Sequence, residues 1–246
     1  MSVLQGKVAL VTGASRGIGR GIAERLARDG AAVAVNFSAS PSEADAVVRG
    51  IVAAGGRAVA IRADLAQLSE LRSLFTAVDA QLGPLDILVN NAGVGAMQPL
   101  DEIDEATFDR VFAVNAKAVL FACQEAARRM RRGGRIVNIS STSTLFPMQG
   151  LAVYAASKAV SKTYTEVLAK ELGPRGISVN SVIPGPTTPG MFAHAPDAMQ
   201  AGAAAASPFN RIGHPDDIAG VVAFLVGPDA GWVSGAHIVA NGAATM

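Results

Sequence analysis

Short apolar runs rich in valine and isoleucine alternate along the chain with longer stretches in which apolar residues recur at helical spacing. The runs Lys7–Thr12, Ala32–Phe37, Arg57–Ile61, Asp86–Val89, Arg135–Ile139, Ile177–Ile183 and His237–Val239 read as strands. They carry few charges, as expected where both faces of a sheet are covered. After the first run, Ile18, Ile22 and Leu26 recur every four residues, the stripe of a helix laid on a sheet. Two longer helices are predicted over Thr107–Arg132 and Leu151–Leu172. Strand and helix in alternation predict a doubly wound α/β fold with a parallel sheet and right-handed crossovers. The alternation lapses at Pro184–Pro208, where five prolines, three glycines and many alanines stand. Such a stretch is either a surface excursion or a lid, because it follows a strand's carboxyl end, where open α/β sheets bind ligands. The lid reading covers about 186–208.

The segment Lys7–Gly19 combines a buried strand, a glycine-rich turn and a helix beginning near Gly17. That order is a nucleotide-binding arrangement. Gly13 lets the chain leave the strand sharply, Gly17 lets backbone approach a diphosphate, and Gly19 lets the helix pack closely, with the helix N-terminus facing the anion. The spacing Gly13, Gly17, Gly19 is not the usual G-x-G-x-x-G. The second strand ends Val35-Asn36-Phe37-Ser38 without the carboxylate that binds a ribose 2′-hydroxyl in NAD-preferring sites. Arg16 offers a guanidinium fork for a 2′-phosphate, so NADP(H) is the expected coenzyme, and an ordinary solvated arginine is the alternative.

With 246 residues, half of them hydrophobic, the chain can bury one substantial core, and a single domain is expected. A net charge of +1 gives no reason to expect nucleic acid or a membrane as partner, which leaves small molecules and further copies of the chain. The lone cysteine, Cys123, sits in an apolar helical stretch and reads as a buried structural thiol, and no metal ligand set is expected. No apolar run reaches the length of a membrane span and no signal-peptide layout precedes the first strand, so a cytoplasmic location is expected.

Tyr154 and Lys158 are four residues apart and share a helical face. A phenol with a pKa near ~10 releases its proton too reluctantly for ready exchange at pH 7, and a neighbouring ammonium is expected to lower that pKa. Ketone reduction needs such an acid, a second donor to polarise the carbonyl, and a group to hold the nicotinamide ribose.

Thr12-Gly13-x-x-x-Gly17-x-Gly19, Asn90-Asn91-Ala92-Gly93, Asn115, Ser141, Tyr154-x-x-x-Lys158 and Pro184-Gly185 together resemble the classical short-chain dehydrogenase/reductase family across nearly the whole chain. The resemblance implies one Rossmann-type domain with a seven-stranded parallel sheet, assembly as a homotetramer or dimer through the two long helices, and hydride transfer with a nicotinamide coenzyme. On sequence alone, the apolar faces of those helices could equally be internal core. The resemblance assigns Tyr154 as proton donor, Ser141 as polarising donor, Lys158 as ribose ligand and source of charge, and Asn115 as the brace of a proton-relaying water. Ser140 is a rival for the serine role, and the 13 positions from Ser141 to Tyr154 select Ser141. Implied coenzyme contacts come from Gly13, Ser15, Arg16, Gly17, Ile18 and Gly19 in the turn, and from Asn36, Phe37 and Ser38 after the second strand. Asp64 and Leu65, Asn91, Ala92 and Gly93, Tyr154 and Lys158, and Pro184, Gly185 and Thr187 complete the set. Without the family, Asp64 reads as a helix cap and Asn115 as an exposed helical residue.

Among subgroups the chain looks most like 3-oxoacyl-acyl-carrier-protein reductases and their carbonyl-reductase relatives. It departs from the pattern at Pro189, where a threonine is usual and where Thr187 or Thr188 can substitute, and at Asn241-Gly242-Ala243, where paired glycines are common. The segments Val94–Gln98 and Ser143–Leu151 and the region after Pro186 carry apolar residues and no lysine or arginine nearby, which disfavours a small carboxylate substrate. Met97, Phe146, Met148, Met191 and Phe192 either line an apolar pocket or fill core. Arg128, Arg129, Arg131, Arg132 and Arg175 either form a docking patch for an acyl-carrier protein or complement helix ends. The expected activity is reduction of a ketone or 3-oxoacyl thioester, with a different small apolar ketone, quinone or sugar as alternative, and a non-catalytic NADP(H)-binding sensor as the other class.

Overall fold

The valine- and isoleucine-rich runs form seven strands: β1 (Val8–Val11), β2 (Ala32–Phe37), β3 (Arg57–Arg62), β4 (Ile87–Asn90), β5 (Arg135–Ile139), β6 (Ser178–Pro184) and β7 (His237–Ala240). In the computed structural model, which describes residues 2–244, they make one sheet in the order β3-β2-β1-β4-β5-β6-β7, every pair parallel. Helices α1 (Gly17–Arg28), α2 (Pro41–Ala53), α3 (Leu68–Leu82), α4 (Glu105–Phe112), α5 (Ala118–Arg129), α6 (Ala152–Leu172), α7 (Asp197–Ala206) and α8 (Pro215–Val226) supply the crossovers and cover the sheet. Alternate residues of one strand serve opposite layers. Ala9 and Val11 join Ile22, Leu26, Ile218 and Val222 of α1 and α8, while Val8 and Leu10 join Leu71, Phe75 and Cys123 of α3 and α5. The strand order reverses between β1 and β4, which opens a crevice at the carboxyl edge there.

The single helix expected over Thr107–Arg132 is two helices joined by a π-turn at Ala113–Lys117. It begins earlier than periodicity suggested because Asp104 caps it, accepting from the Thr107 backbone at 2.8 Å. It ends at Arg129, so Arg131 and Arg132 lie beyond it. The π-turn carries Asn115, whose side chain is buried and bonded outward to other elements rather than exposed. The Pro184–Pro208 stretch contains a helix the sequence reading missed, α7. Its sequence, DAMQAGAAAA, has almost no apolar–polar contrast, yet alanine is the strongest helix former.

Cys123 is buried, accepts from the Asn90 amide at 3.3 Å, and has its thiol pushed up to about 12 by burial. In the Asn241-Gly242-Ala243 stretch, Ala243 holds φ 58, the left-handed region that a glycine would enter without strain.

Candidate active site at the carboxyl edge of the sheet

The site is built from the residues that follow β1, β4, β5 and β6, together with the first turns of α6. Gly13 leaves β1 with φ +60, and a Cβ there would sit 2.9 Å from the Ala92 backbone. Thr12 fastens the two turns together: its hydroxyl accepts from Asn91 N at 2.9 Å and Ala92 N at 3.0 Å. The Asn91 amide donates back to the Thr12 and Gly13 carbonyls at 2.8 and 3.1 Å. Gly17, at φ +56, leaves room for the backbone of Pro189 and Gly190, so it clears the loop after β6 as well as any diphosphate. Gly19 faces the Gly13 carbonyl and the Asn91 amide, so the start of α1 lies close on the backbone leaving β1, while Gly21 separately meets Pro215 of α8.

Two reciprocal contacts bind the end of β5 to α6. The Lys158 ammonium donates to the Ile139 carbonyl at 3.0 Å, and Ser140 Oγ donates to the Lys158 carbonyl at 3.1 Å, joined there by Ser161 Oγ at 2.7 Å. Ser140 is thus buried and committed, whereas Ser141 is half-buried and turned toward Tyr154. Ser141 Oγ also accepts from the Ser143 hydroxyl at 3.0 Å and the Ser143 backbone at 3.2 Å, a brace the sequence reading did not single out. Lys158 lies beside Gly93, where a Cβ would come within 3.1 Å of the ammonium. Asn115 accepts from Val94 N at 2.9 Å, donates to the Val94 carbonyl at 2.9 Å, and donates to Ser157 Oγ at 3.0 Å. Ser157 in turn donates to the Tyr154 carbonyl at 2.7 Å, so the π-turn, the β4 loop and the Tyr154 turn form one bonded unit.

The electrostatics differ from the expectation that Lys158 lowers the Tyr154 pKa. Burial raises the phenol above its ordinary value, the hydrogen bond from Ser141 opposes this, and Lys158 is not among the causes. The ammonium is turned to the Ile139 carbonyl.

Burial also pulls Lys158 down to about 8 from 10.5. Below pH ~8 the lysine is charged both folded and unfolded, and the folded protein carries the cost of a buried cation. Between the two values the unfolded chain binds the proton and the folded chain does not, so this group's contribution rises with pH, by about 3 kcal/mol in all. Cys123 and Tyr154, both raised, act in the opposite sense at alkaline pH. The quantity to follow is therefore the stability difference between wild type and Lys158→Met by urea unfolding. We expect the variant's relative stability to be highest near pH 7 and to fall steadily toward pH 10. The lost Ile139 contact shifts the whole difference but not its slope, and a flat difference would refute a buried cation.

At the end of β2, the side chains of Asn36 and Phe37 turn inward, which leaves their backbone as the part of these positions that can border a coenzyme. Asn36 is buried, accepts from Gly13 N at 3.2 Å and donates to the Ile61 and Ala63 carbonyls, so it positions the glycine turn. Phe37 is core. Ser38 is exposed, and Arg16, the residue before α1, is exposed with no side-chain cap bond. Ser15 is half-buried, Ile18 packs on the core, and Leu65 is buried. Asp64 does not cap a helix: its carboxylate accepts from Ala66 N at 3.0 Å in a tight turn before Gln67, and its side chain is partly exposed. After β6, Gly185 abuts Asn241, and Thr187 is buried with its hydroxyl on the Gly185 carbonyl at 2.9 Å, which leaves Thr188 as the freer hydroxyl. Met97, Met148, Met191 and Leu145 are exposed rather than core, and Met191 packs on Gly95.

The Gly13–Gly19 turn at a helix start, an Arg16 side chain that is unpaired among the described residues, and the ammonium and phenol along one edge fit a dinucleotide with a reacting carbonyl at its far end. Residues 7–200 match the family model for short chain dehydrogenases. An uncharacterized oxidoreductase of Methylorubrum extorquens is 49% identical over 245 residues, spanning 98% of this chain and 99% of its own. A hydroxynaphthalene reductase-like protein of Metarhizium guizhouense is 41% identical, spanning 97% and 95%. The crystal structure of a short chain dehydrogenase from Burkholderia cenocepacia in complex with NADP superposes with a TM-score of 0.94 at 44% identity, covering 98% of this chain and 99% of that one. The chain belongs to the short-chain dehydrogenase family and is by that membership an oxidoreductase.

Proposed function

We propose that the protein reduces the carbonyl of an apolar ketone with NADP(H). The observation that carries this is the Tyr154 phenol set beside Ser141, at the same sheet edge as the glycine turn. The coenzyme assignment draws support from the NADP complex of the similar Burkholderia enzyme and from the absence of an acid at the end of β2. The coenzyme supplies the hydride. Gly13, Gly17 and the α1 N-terminus hold its diphosphate, Asn91–Gly93 and Asp64 flank its adenosine, Lys158 binds the nicotinamide ribose, and Pro184, Gly185 and Thr187 or Thr188 border the carboxamide. Ser141 donates to the carbonyl oxygen, and Tyr154 gives that oxygen its proton as charge develops. Asn115 keeps the π-turn in place beside Lys158 for a relayed proton to refill the phenol. The 186–208 segment acts as the lid over the substrate.

Two substrate classes remain in play, and the charges favour one. In the expected carrier-docking patch, Arg129 is bonded to Asp79 and Glu125, Arg128 to Glu125, and Arg175 to the Ala127 and Met130 carbonyls. Three of the five guanidiniums are thus already committed, which supports a free apolar ketone over a carrier-bound 3-oxoacyl thioester. The exposed Met97, Met148 and Met191 offer polarizable contacts for an aromatic ring, in keeping with the relative named as hydroxynaphthalene reductase-like. Loss of NADPH absorbance against a panel of aryl and polycyclic ketones, quinones and acetoacetyl thioesters tests this. Aryl ketones and quinones are expected to be consumed at least about 10-fold faster than thioesters. Thioester-selective consumption would reverse the substrate assignment, and no consumption across the panel would favour a coenzyme-binding sensor.

A cytoplasmic homotetramer completes the proposal. Its self-association draws support from exposed apolar side chains at Phe224 on α8, Trp232 in the loop that follows and Val239 on the edge strand β7. Light scattering of the purified protein gives the assembly directly.

A further inference from the structure

We propose that Arg62 is a second basic anchor for the 2′-phosphate of NADP(H), an inference that rests on the coenzyme reading above. The strand order places β2 between β1 and β3, so the end of β2 is flanked on one side by Arg16, in the turn after β1. On the other side stands Arg62, the last residue of β3, paired with Phe37. Its Nε donates to the Ser38 carbonyl at 3.2 Å, which carries the guanidinium over the first residue beyond β2. Among the described residues that is the one hydrogen bond of this side chain, and no carboxylate oxygen lies within 4.0 Å of it.

The acids at the end of β3 have other partners: Glu70 accepts from Asp64 N at 2.8 Å, and Asp64 accepts from Ala66 N at 3.0 Å. Just beyond the end of β2 lie the exposed Ser38 and also Ser40, which precedes α2 but makes no side-chain cap bond. With Arg16 in the turn after the neighbouring β1 and the Arg62 guanidinium held at Ser38, the end of β2 is bordered by two cationic residues and by two hydroxyls that make no side-chain bond among the described residues, a set that matches a phosphate monoester, whose charge and terminal oxygens accept forked N–H pairs. A bare ribose 2′-hydroxyl offers no such charge. Arg62 therefore discriminates between coenzymes rather than supporting binding in general. It was invisible to motif reading because its position is defined by β2–β3 register and not by sequence neighbours.

The test is calorimetric binding of NADPH, NADH and adenosine 2′,5′-bisphosphate to wild type, Arg62→Gln and Arg62→Lys at low and high salt. For Arg62→Gln we expect a Kd about 10-fold or more higher for NADPH and the bisphosphate, NADH affinity unchanged, and a weaker salt dependence. Arg62→Lys is expected to retain the salt dependence but not the full affinity. Unchanged NADPH binding by Arg62→Gln, or equal weakening of NADPH and NADH, would overturn the proposal. Equal binding of the two coenzymes by wild type would instead overturn the NADP(H) reading, so the two failures are told apart.

Discussion

Tyr154→Phe is expected to lower kcat by ~10²–10⁴ while leaving the Kd for NADPH nearly unchanged. The substitution removes a hydroxyl and keeps the ring, so the half-buried slot on α6 stays filled. Ser141 keeps its brace from Ser143, and Lys158 still rests on Ile139. What is lost is the proton for the developing alkoxide. Since burial holds the wild-type phenol above its ordinary pKa, reduction should run without loss from acid through neutral pH, and the reverse oxidation should gain as pH rises. Single-turnover reduction followed by stopped flow, with coenzyme affinity from NADPH fluorescence, separates chemistry from binding. Turnover near the wild-type rate would remove Tyr154 from the proton-donor role and the proposed mechanism with it.

Gly19→Ala should be the most damaging change in the glycine turn. The added methyl would lie 2.4 Å from the Gly13 carbonyl oxygen, 2.4 Å from the Asn91 amide and 3.0 Å from Ala14 Cα. Two of these three atoms are backbone and do not swing aside. Relief requires displacing α1 or breaking the Asn91 bonds that tie the β4 loop to the turn, at a combined cost of about 3 kcal/mol or more. Thermal unfolding should show a Tm drop well beyond the usual range for surface changes, together with loss of NADPH binding. The matched control is Gly50→Ala in α2, where open space surrounds the position and helix propensity predicts a gain of about 0.5–1 kcal/mol. If both variants unfold alike, the crowding around Gly19 is not what makes glycine necessary there.

The sheet was legible because each strand is a short, mostly apolar run containing valine or isoleucine, and all seven predicted spans agree with the structure to within one residue at each end. What escaped the reading has two physical origins. Periodicity reports burial contrast, so the alanine helix α7 gave no signal, and the π-turn was hidden inside one uninterrupted helical pattern. Side-chain partnerships across strands leave no mark on neighbouring positions. The side chains of Asn36 and Asn115 brace backbone across elements, partnerships that spacing along the chain does not encode. Likewise Ser143 and Arg62 gain significance only through what the fold sets beside them.

The lone sulfhydryl of this chain gives it an intrinsic reporter. Cys123 sits between α5 and the central strands with its thiolate suppressed, so alkylating reagents should reach it only when those layers separate. Its labelling rate in native buffer would then read the free energy of opening the heart of the molecule, with no engineered probe and no denaturant.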